Sequence, residues 1–337
     1  MPNPRLLLTI DVEEDMPGWQ ITDPITVRNA RALPRLAQLC KDLGVRPTYL
    51  CTYPMVTDPE TADLLGELNA EGGCEIGTHL HPWNTPPFRG VPGIDADERT
   101  VPYYQFQLGP ELFREKLQFL HDAVTGIAGH PPISYRAGRF GIDAPTLGEL
   151  VKLGYEVDSS VTPLEKHVKD GGPDFSSAPQ DPYYPSEHDI TKRGDMPILE
   201  VPVSVALSRR LPRWIRRTYV ELPEITRVRG LLSSDYLGLV DFAWLYPARF
   251  SMELMTKAAW TLRAEGSPVL NVFIHSSELV AGASGRIRTE DDVETVFARM
   301  RGILEYCLET FDAVPCTLAE VGPGLREWLE FQRHQRT

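Results

Sequence analysis

The apolar run at residues 6–10 ends against Asp11, Glu13, Glu14 and Asp15. A short apolar run closed by carboxylates is the pattern of a strand buried on both faces, whose C-terminal end opens into a polar site. Helical periodicity follows over residues 27–43 and 60–69, with strand-like runs at 48–51 and 75–78; Gly44 and the Gly72-Gly73 pair stop the helices. The alternation continues with a helix over 110–125, a strand at 133–135, a helix over 144–153 capped by Asp143, and a short strand at 156–157. A strand at 198–203, a helix around 250–264, the apolar run 269–274 and a helix over 291–309 complete the series. Strand and helix units repeated over this length predict one α/β domain, barrel-like or doubly wound.

Three segments break the rhythm, at 82–109, 162–197 and 204–247, the first two rich in Pro, Gly, Asp and Tyr. Insertions of this length on an enzyme scaffold commonly build substrate walls or lids. No repeat, low-complexity tract or linker divides the chain, so a single domain with long loop insertions is expected.

Composition narrows the class. With 42% hydrophobic and 24% charged residues among 337, the chain reads as globular, and no apolar stretch approaches the roughly 20 residues of a membrane span. The early apolar run is too short for a signal-peptide core, which predicts a cytoplasmic protein. The five cysteines are scattered, odd in number and never in a CxxC pair, which suits reduced thiols better than disulfides or a thiolate zinc site. A net charge of -13 argues against a nucleic-acid partner; residues 209–229 are a local basic exception.

Candidate chemistry sits where the strands end. Asp11 and Glu13, two apart in an extended backbone, share a face and can point into one pocket, although an acidic cluster alone is also the pattern of a solvated loop. His79 and His81 present two imidazoles after another strand, a pairing that suits zinc, iron, nickel or cobalt, and with a carboxylate from a different strand they make a credible metal site. Arg136 ends a third strand before a glycine-containing turn, where it can hold a carboxylate ionised by bidentate hydrogen bonds. Asp158 ends a short strand. His275 closes the strongly apolar run 269–274 and is placed to protonate a leaving amine.

The order of these motifs resembles the polysaccharide deacetylase superfamily, also called carbohydrate esterase family 4 or the chitooligosaccharide deacetylase homology domain. Thr9-Ile10-Asp11 is similar to the family's catalytic-base motif, and Glu75-Ile76-Gly77-Thr78-His79 to its metal-histidine motif. Tyr135-Arg136-Ala137 resembles its Arg motif, residues 154–160 its fourth, and Val272-Phe273-Ile274-His275 its general-acid motif. The match spans about residues 6–321 without the insertions. The resemblance implies a distorted (β/α)7-type barrel, a divalent metal with zinc foremost, Asp11 as base, Glu13, His79 and His81 as metal ligands, and His275 as acid. It also implies an oxyanion held by the metal and a backbone N–H near the Arg136 turn. Two departures stand out. The family's adjacent acidic pair is here Asp11-Val12-Glu13, and the residue four after His79 is Trp83. His81 therefore either substitutes as second ligand or contacts substrate.

The implied reaction is removal of an N-acyl group from an amino sugar. A cytoplasmic location points to a precursor of surface polysaccharide, nucleotide- or lipid-linked, with Arg213, Arg216 and Arg217 suited to pyrophosphate. The same stretch suits peripheral contact with an anionic membrane, or a plain solvated helix. Trp83, Arg139 and Asp158 are further candidates for substrate contact; aromatics of the insertions such as Tyr104 and Tyr183 read mainly as loop anchors. Two rivals stand beside this reading: an amidase acting on a small non-sugar amide or cyclic imide, and a catalytically silent carbohydrate-binding or scaffold protein. Oligomeric state is left open.

Overall fold

A computed structural model describes residues 3–88, 104–208 and 242–334. Its centre is β1 (Arg5–Val12), which pairs in parallel with β9 (Val269–His275) from Arg5↔Val269 to Asp11↔His275. Pairing through Thr9↔Thr48 to Val12↔Cys51 brings in β2 (Thr48–Cys51), and the start of β1 also meets β10 (Val314–Pro315). Beyond β2 the parallel ladder runs through β3 (Glu75–Leu80), β4 (Ser134–Ala137), β5 (Val157–Asp158) and β6 (Leu199–Glu200).

The sheet curls into a distorted (β/α)7-type barrel. Its gap is bridged irregularly: Val203 N–H bonds the Val161 carbonyl, Leu245 N–H that of Ser204, and Phe273 N–H that of Leu245. Beside the gap, β7 (Val205–Leu207) and β8 (Phe242–Trp244) pair antiparallel. The two strands lie at either end of the third insertion.

Alternation along β1 explains the layering. Leu6, Leu8 and Ile10 pack outward with Leu36 of α1 (Leu33–Leu43), Leu117 and Leu120 of α4 (Pro110–Ala128), and Met300 and Ile303 of α7 (Glu290–Phe311). Leu7 faces inward with Leu50, Val157 and Leu199, and the next inward positions are Thr9 and Asp11. A single strand thus carries the barrel core at its start and polar chemistry at its end. The remaining helices are α2 (Tyr53–Thr57), α3 (Pro59–Ala70), α5 (Ala144–Lys152), α6 (Met252–Ala264), α8 (Leu318–Gly324) and α9 (Arg326–His334).

Several expectations are corrected. Within 27–43 only Leu33–Leu43 is α-helical, because Arg28–Ala32 forms a tighter 3₁₀ turn held to Asp15 through Arg28 and Asn29. Of 198–203 only Leu199–Glu200 joins the sheet, since the following residues turn across the barrel gap. The helix α2 and the strand β10 are too short to leave a periodic signal. All five cysteines are free. Among the described residues no helix is long and apolar enough to cross a membrane.

Asp158 and Glu200 face each other across the β5–β6 pair, both fully buried. Burial drives both carboxyls up; the hydrogen bond between them favours ionised Asp158 and protonated Glu200, which lies well above its ordinary 4.5. A raised folded value means that the stability from this proton is complete below the unfolded value and is lost as pH rises through the folded one. Glu200→Gln keeps an N–H donor for Asp158 and cannot titrate. Its Tm should fall less than that of the wild type as pH rises above the ordinary carboxyl value; equal slopes in thermal melts would refute the shared proton.

Candidate active site

The acidic run after β1 divides into four roles. Asp11 accepts at Oδ1 from Arg136 Nη1 at 2.8 Å, and its Oδ2 lies 3.7 Å from His79 Nε2. Glu13 accepts from Ser277 Oγ at 3.1 Å and directs Oε2 to within 3.7 and 3.9 Å of His81 and His79 Nε2. Glu14 accepts at Oε1 from both His81 Nδ1 and Trp83 Nε1, each at 2.9 Å. Asp15 binds Thr26, Arg28 and Asn29, and so anchors the loop over residues 16–29.

Arg136 is wholly buried and all three of its nitrogens donate: Nε to the Ser159 carbonyl, Nη1 to Asp11, and Nη2 to Thr9 Oγ1 and Ser159 Oγ. Its side chain does not reach the cavity, so it acts through Asp11. Burial pushes the Asp11 carboxyl up, but His79, Arg136 and His275 more than offset this and hold it below its ordinary value. Glu13 has no such guanidinium; burial, with Glu14 and Asp11 adding to it, lifts its carboxyl to about 7.

The two histidines converge. His79 Nδ1 lies 3.0 Å from the Arg136 carbonyl and must donate to it, which leaves Nε2 as the ring's acceptor. His81 Nδ1 donates to Glu14 in the same way, and the two Nε2 atoms stand 3.0 Å apart. Two lone pairs that close repel unless a cation or a proton lies between them. Among the described residues, Glu13, His79 and His81 form the group whose donor atoms lie within 4.8 Å of one another. Imidazole nitrogens with a carboxylate, each ring locked by its other nitrogen, fit a divalent transition metal. Burial brings His79 down to about 3, while Glu14, Glu13 and Asp11 overcome the same burial effect at His81 and raise it.

Opposite stands His275. Its Nδ1 meets Glu278 Oε2 at 3.1 Å and the Tyr246 hydroxyl at 3.0 Å, while that hydroxyl donates to Glu278 Oε1 at 2.5 Å. Burial opposes protonation of His275, but Glu13 and Glu278 outweigh it and raise the ring to about 9. Asp11, Glu13, His79, His81 and His275 all line one cavity of about 1040 Å³.

Not every sequence candidate reaches that cavity. Trp83 lines it but is 5% exposed and stacks on His81 with ring centroids 4.2 Å apart, so its chief partners are Glu14 and His81. Arg139 lines the wall, where it pairs with Asp170 at 2.7 Å. Asp158 does not line it: it is buried against Ser160 and Glu200, and burial raises its carboxyl. Arg213, Arg216 and Arg217 lie outside the described residues. The N–H of Ala137, beside Arg136, is engaged by Ser160 Oγ and cannot hold an oxyanion. Glu14, Tyr246 and Glu278 escaped the sequence reading. Glu278 left a signal, a carboxylate three residues after a strand-end histidine; Tyr246 left none, because the chain returns to His275 only in three dimensions.

No protein-family model matches the sequence, and no curated protein matches it. Among solved structures the chain is similar to a candidate polysaccharide deacetylase from Mycobacterium smegmatis, with a TM-score of 0.55 at 15% identity over 97% of this chain and 92% of that one. The chain has the polysaccharide deacetylase fold. A candidate glycoside hydrolase/deacetylase from Parabacteroides distasonis aligns with a TM-score of 0.60 at 15% identity, over 96% of this chain and 72% of that one. The 4-alpha-glucanotransferase from Thermococcus litoralis aligns at 0.51 with 12% identity, over 95% of this chain and 40% of that one. Neighbours with differently named activities mean that the fold alone does not choose the chemistry; the site must.

The turn after β4 makes room for the pair. Arg139 and Phe140 adopt φ of 54° and 58°, a conformation costing non-glycine residues about 1–3 kcal/mol each, and a Cβ on Gly138 would meet His81 Cδ2 at 2.4 Å and the Leu80 carbonyl at 2.6 Å. Gly138→Ala should therefore destabilise the protein by about 1–3 kcal/mol, read as a lower denaturation midpoint; an unchanged midpoint would mean that the His81 ring has room to move.

Proposed function

We propose that this chain is a metal-dependent hydrolase that removes an N-acyl group, acetyl foremost, from an amino sugar. The observation that carries the reading is the convergence of His79, His81 and Glu13 beside an arginine-held Asp11, with His275 lining the same cavity. Zinc suits this donor set, and when bound it would supply Lewis acidity toward the acyl oxygen and make water a better proton donor.

The chain's own residues do the rest. Asp11, kept ionised by Arg136, takes the proton of the attacking water. His275, pushed up to about 9 and so charged at neutral pH, gives its Nε2 proton to the departing nitrogen. Tyr246 and Glu278 hold its Nδ1 side and fix the ring's direction. A cavity of about 1040 Å³ exceeds a single monosaccharide and suits a sugar bearing a further group. Arg139 stands at its wall as a sugar contact. The substrate setting remains a cytoplasmic surface-polysaccharide precursor. Its nucleotide or lipid linkage rests on the basic run 209–229, since Arg139 is already matched by Asp170.

The test is elemental analysis together with acetate release from a panel of N-acetylated amino sugars, run beside ring opening of cyclic ureides. The expected result is about one equivalent of zinc or a related metal per chain, lost in His79→Ala and His81→Ala, with activity on the sugars. Sugar binding without metal or hydrolysis would favour the silent carbohydrate-binding reading, and activity confined to ureides the amidase reading. In an active preparation Asp11→Asn should lower kcat about 10²–10⁴-fold. Tyr246→Phe should lower kcat with little change in KM; a rise in KM alone would place Tyr246 in substrate binding instead.

A further inference from the structure

Glu14, like Asp15, faces neither the cavity nor the solvent, but unlike Asp15 it reaches the histidine pair. It is 2% exposed, and one oxygen takes both available donors, His81 Nδ1 and Trp83 Nε1. The other oxygen, Oε2, is buried with no hydrogen-bond partner. A buried carboxylate with a bare oxygen is costly unless positive charge lies close by. No lysine or arginine provides it among the described contacts; the side chain that links this carboxylate to the site is His81, through which a cation held at Nε2 would balance it. Trp83 completes the unit by lying over the ring at 4.2 Å and 30° while donating to the same oxygen.

We propose that Glu14 and Trp83 are positioning residues that fix His81 as the Nδ1–H tautomer with Nε2 directed at His79, and so make a two-residue histidine spacing competent to hold a divalent ion. The inference rests on the metal reading of the site. The carboxylate supplies direction and charge: it accepts the Nδ1 proton, strengthens Nε2 as an electron-pair donor, and balances part of the charge of a bound cation. Indole stacking blocks rotation about the histidine's χ2. Without both restraints His81 can turn or adopt the other tautomer, and Nε2 is lost as a ligand. His79 needs no such device, because the Arg136 carbonyl takes its Nδ1 proton from within the sheet.

The experiment measures zinc affinity by chelator competition, and the visible spectrum of the cobalt-substituted protein, for wild type, Glu14→Gln, Glu14→Ala and Trp83→Phe. Metal-free Tm serves as the folding control. Outer-sphere partners of this kind are worth about 10–100-fold in affinity. Glu14→Ala should weaken zinc toward the upper end of that range. Glu14→Gln, which keeps an acceptor oxygen and loses the charge, should fall between Glu14→Ala and the wild type, and Trp83→Phe, which keeps the stacked ring, should lose least. Cobalt bands should weaken in the same order as His81 leaves the ion. Wild-type affinity and an unchanged cobalt spectrum in folded Glu14→Gln and Glu14→Ala would overturn the inference while leaving the metal reading intact. Failure of the wild type to take up either metal would overturn both.

Discussion

The Arg136 guanidinium, sealed beneath the strand ends, is the constraint on which the rest of the site depends. It is 0% exposed, and from β4 it ties together two other strand ends: Thr9 and Asp11 from β1, and Ser159 from just after β5. Asn271 of β9 joins the network through Thr9 and Ser159. A buried cation must have its donors satisfied, and loss of one partner from a buried pair costs about 3–5 kcal/mol. The requirement fixes the relative height of these strands. Once Arg136 is placed, Asp11 is held ionised, Glu13 emerges two residues later on the same face, and the Arg136 carbonyl sets the tautomer of His79.

Like residues are driven apart by position. Asp11 is held below its ordinary value while Glu13 is lifted to about 7; His79 falls to about 3 while His275 rises to about 9. Burial acts on all four. What differs is the partners: His79 and the Arg136 guanidinium outweigh burial at Asp11, His275 and His81 fail to outweigh it at Glu13, where Glu14 and Asp11 add to it, and Glu13 with Glu278 outweighs it at His275. Titratable groups separated in this way within one cavity are the ordinary means of dividing base, ligand and acid roles among few residue types. Below the site the inner layer is Leu7, Leu50, Val157 and Leu199.

The walls belong to loops whose order comes from the same polar accounting. Asp15 anchors the loop that brings Trp19 edge-on to His275 at 5.0 Å. The turn after β4 spends two left-handed residues to seat Arg139 and Phe140 at the cavity wall. Beside the barrel gap, the irregular strand-like segment after β8 carries Tyr246 to His275. Tyr183 of the second insertion is an anchor, buried and bonded to the Ile190 carbonyl, whereas Tyr104 of the first lines the cavity.

The sequence by itself determined an α/β domain of parallel strands and the strand ends at which polar residues gather, because burial on both faces of a parallel strand leaves an apolar run that stops where the polar site begins. The choice of a barrel over a doubly wound sheet came from the family resemblance. Asp11, Glu13 and His275 could be singled out since they follow such runs, and His79 and His81 since they follow a short strand-like stretch; period-two geometry puts i and i+2 on one face. Only the tertiary structure decided which residues meet across strands. Glu14 reaches His81 and Trp83, Tyr246 reaches His275 from 29 residues away, and Asp158 turns inward to Glu200 instead of toward the cavity. Those outcomes depend on strand register and loop return, which bring together residues distant in the chain. Local propensity records the conformation of each segment and carries no information about its distant partner.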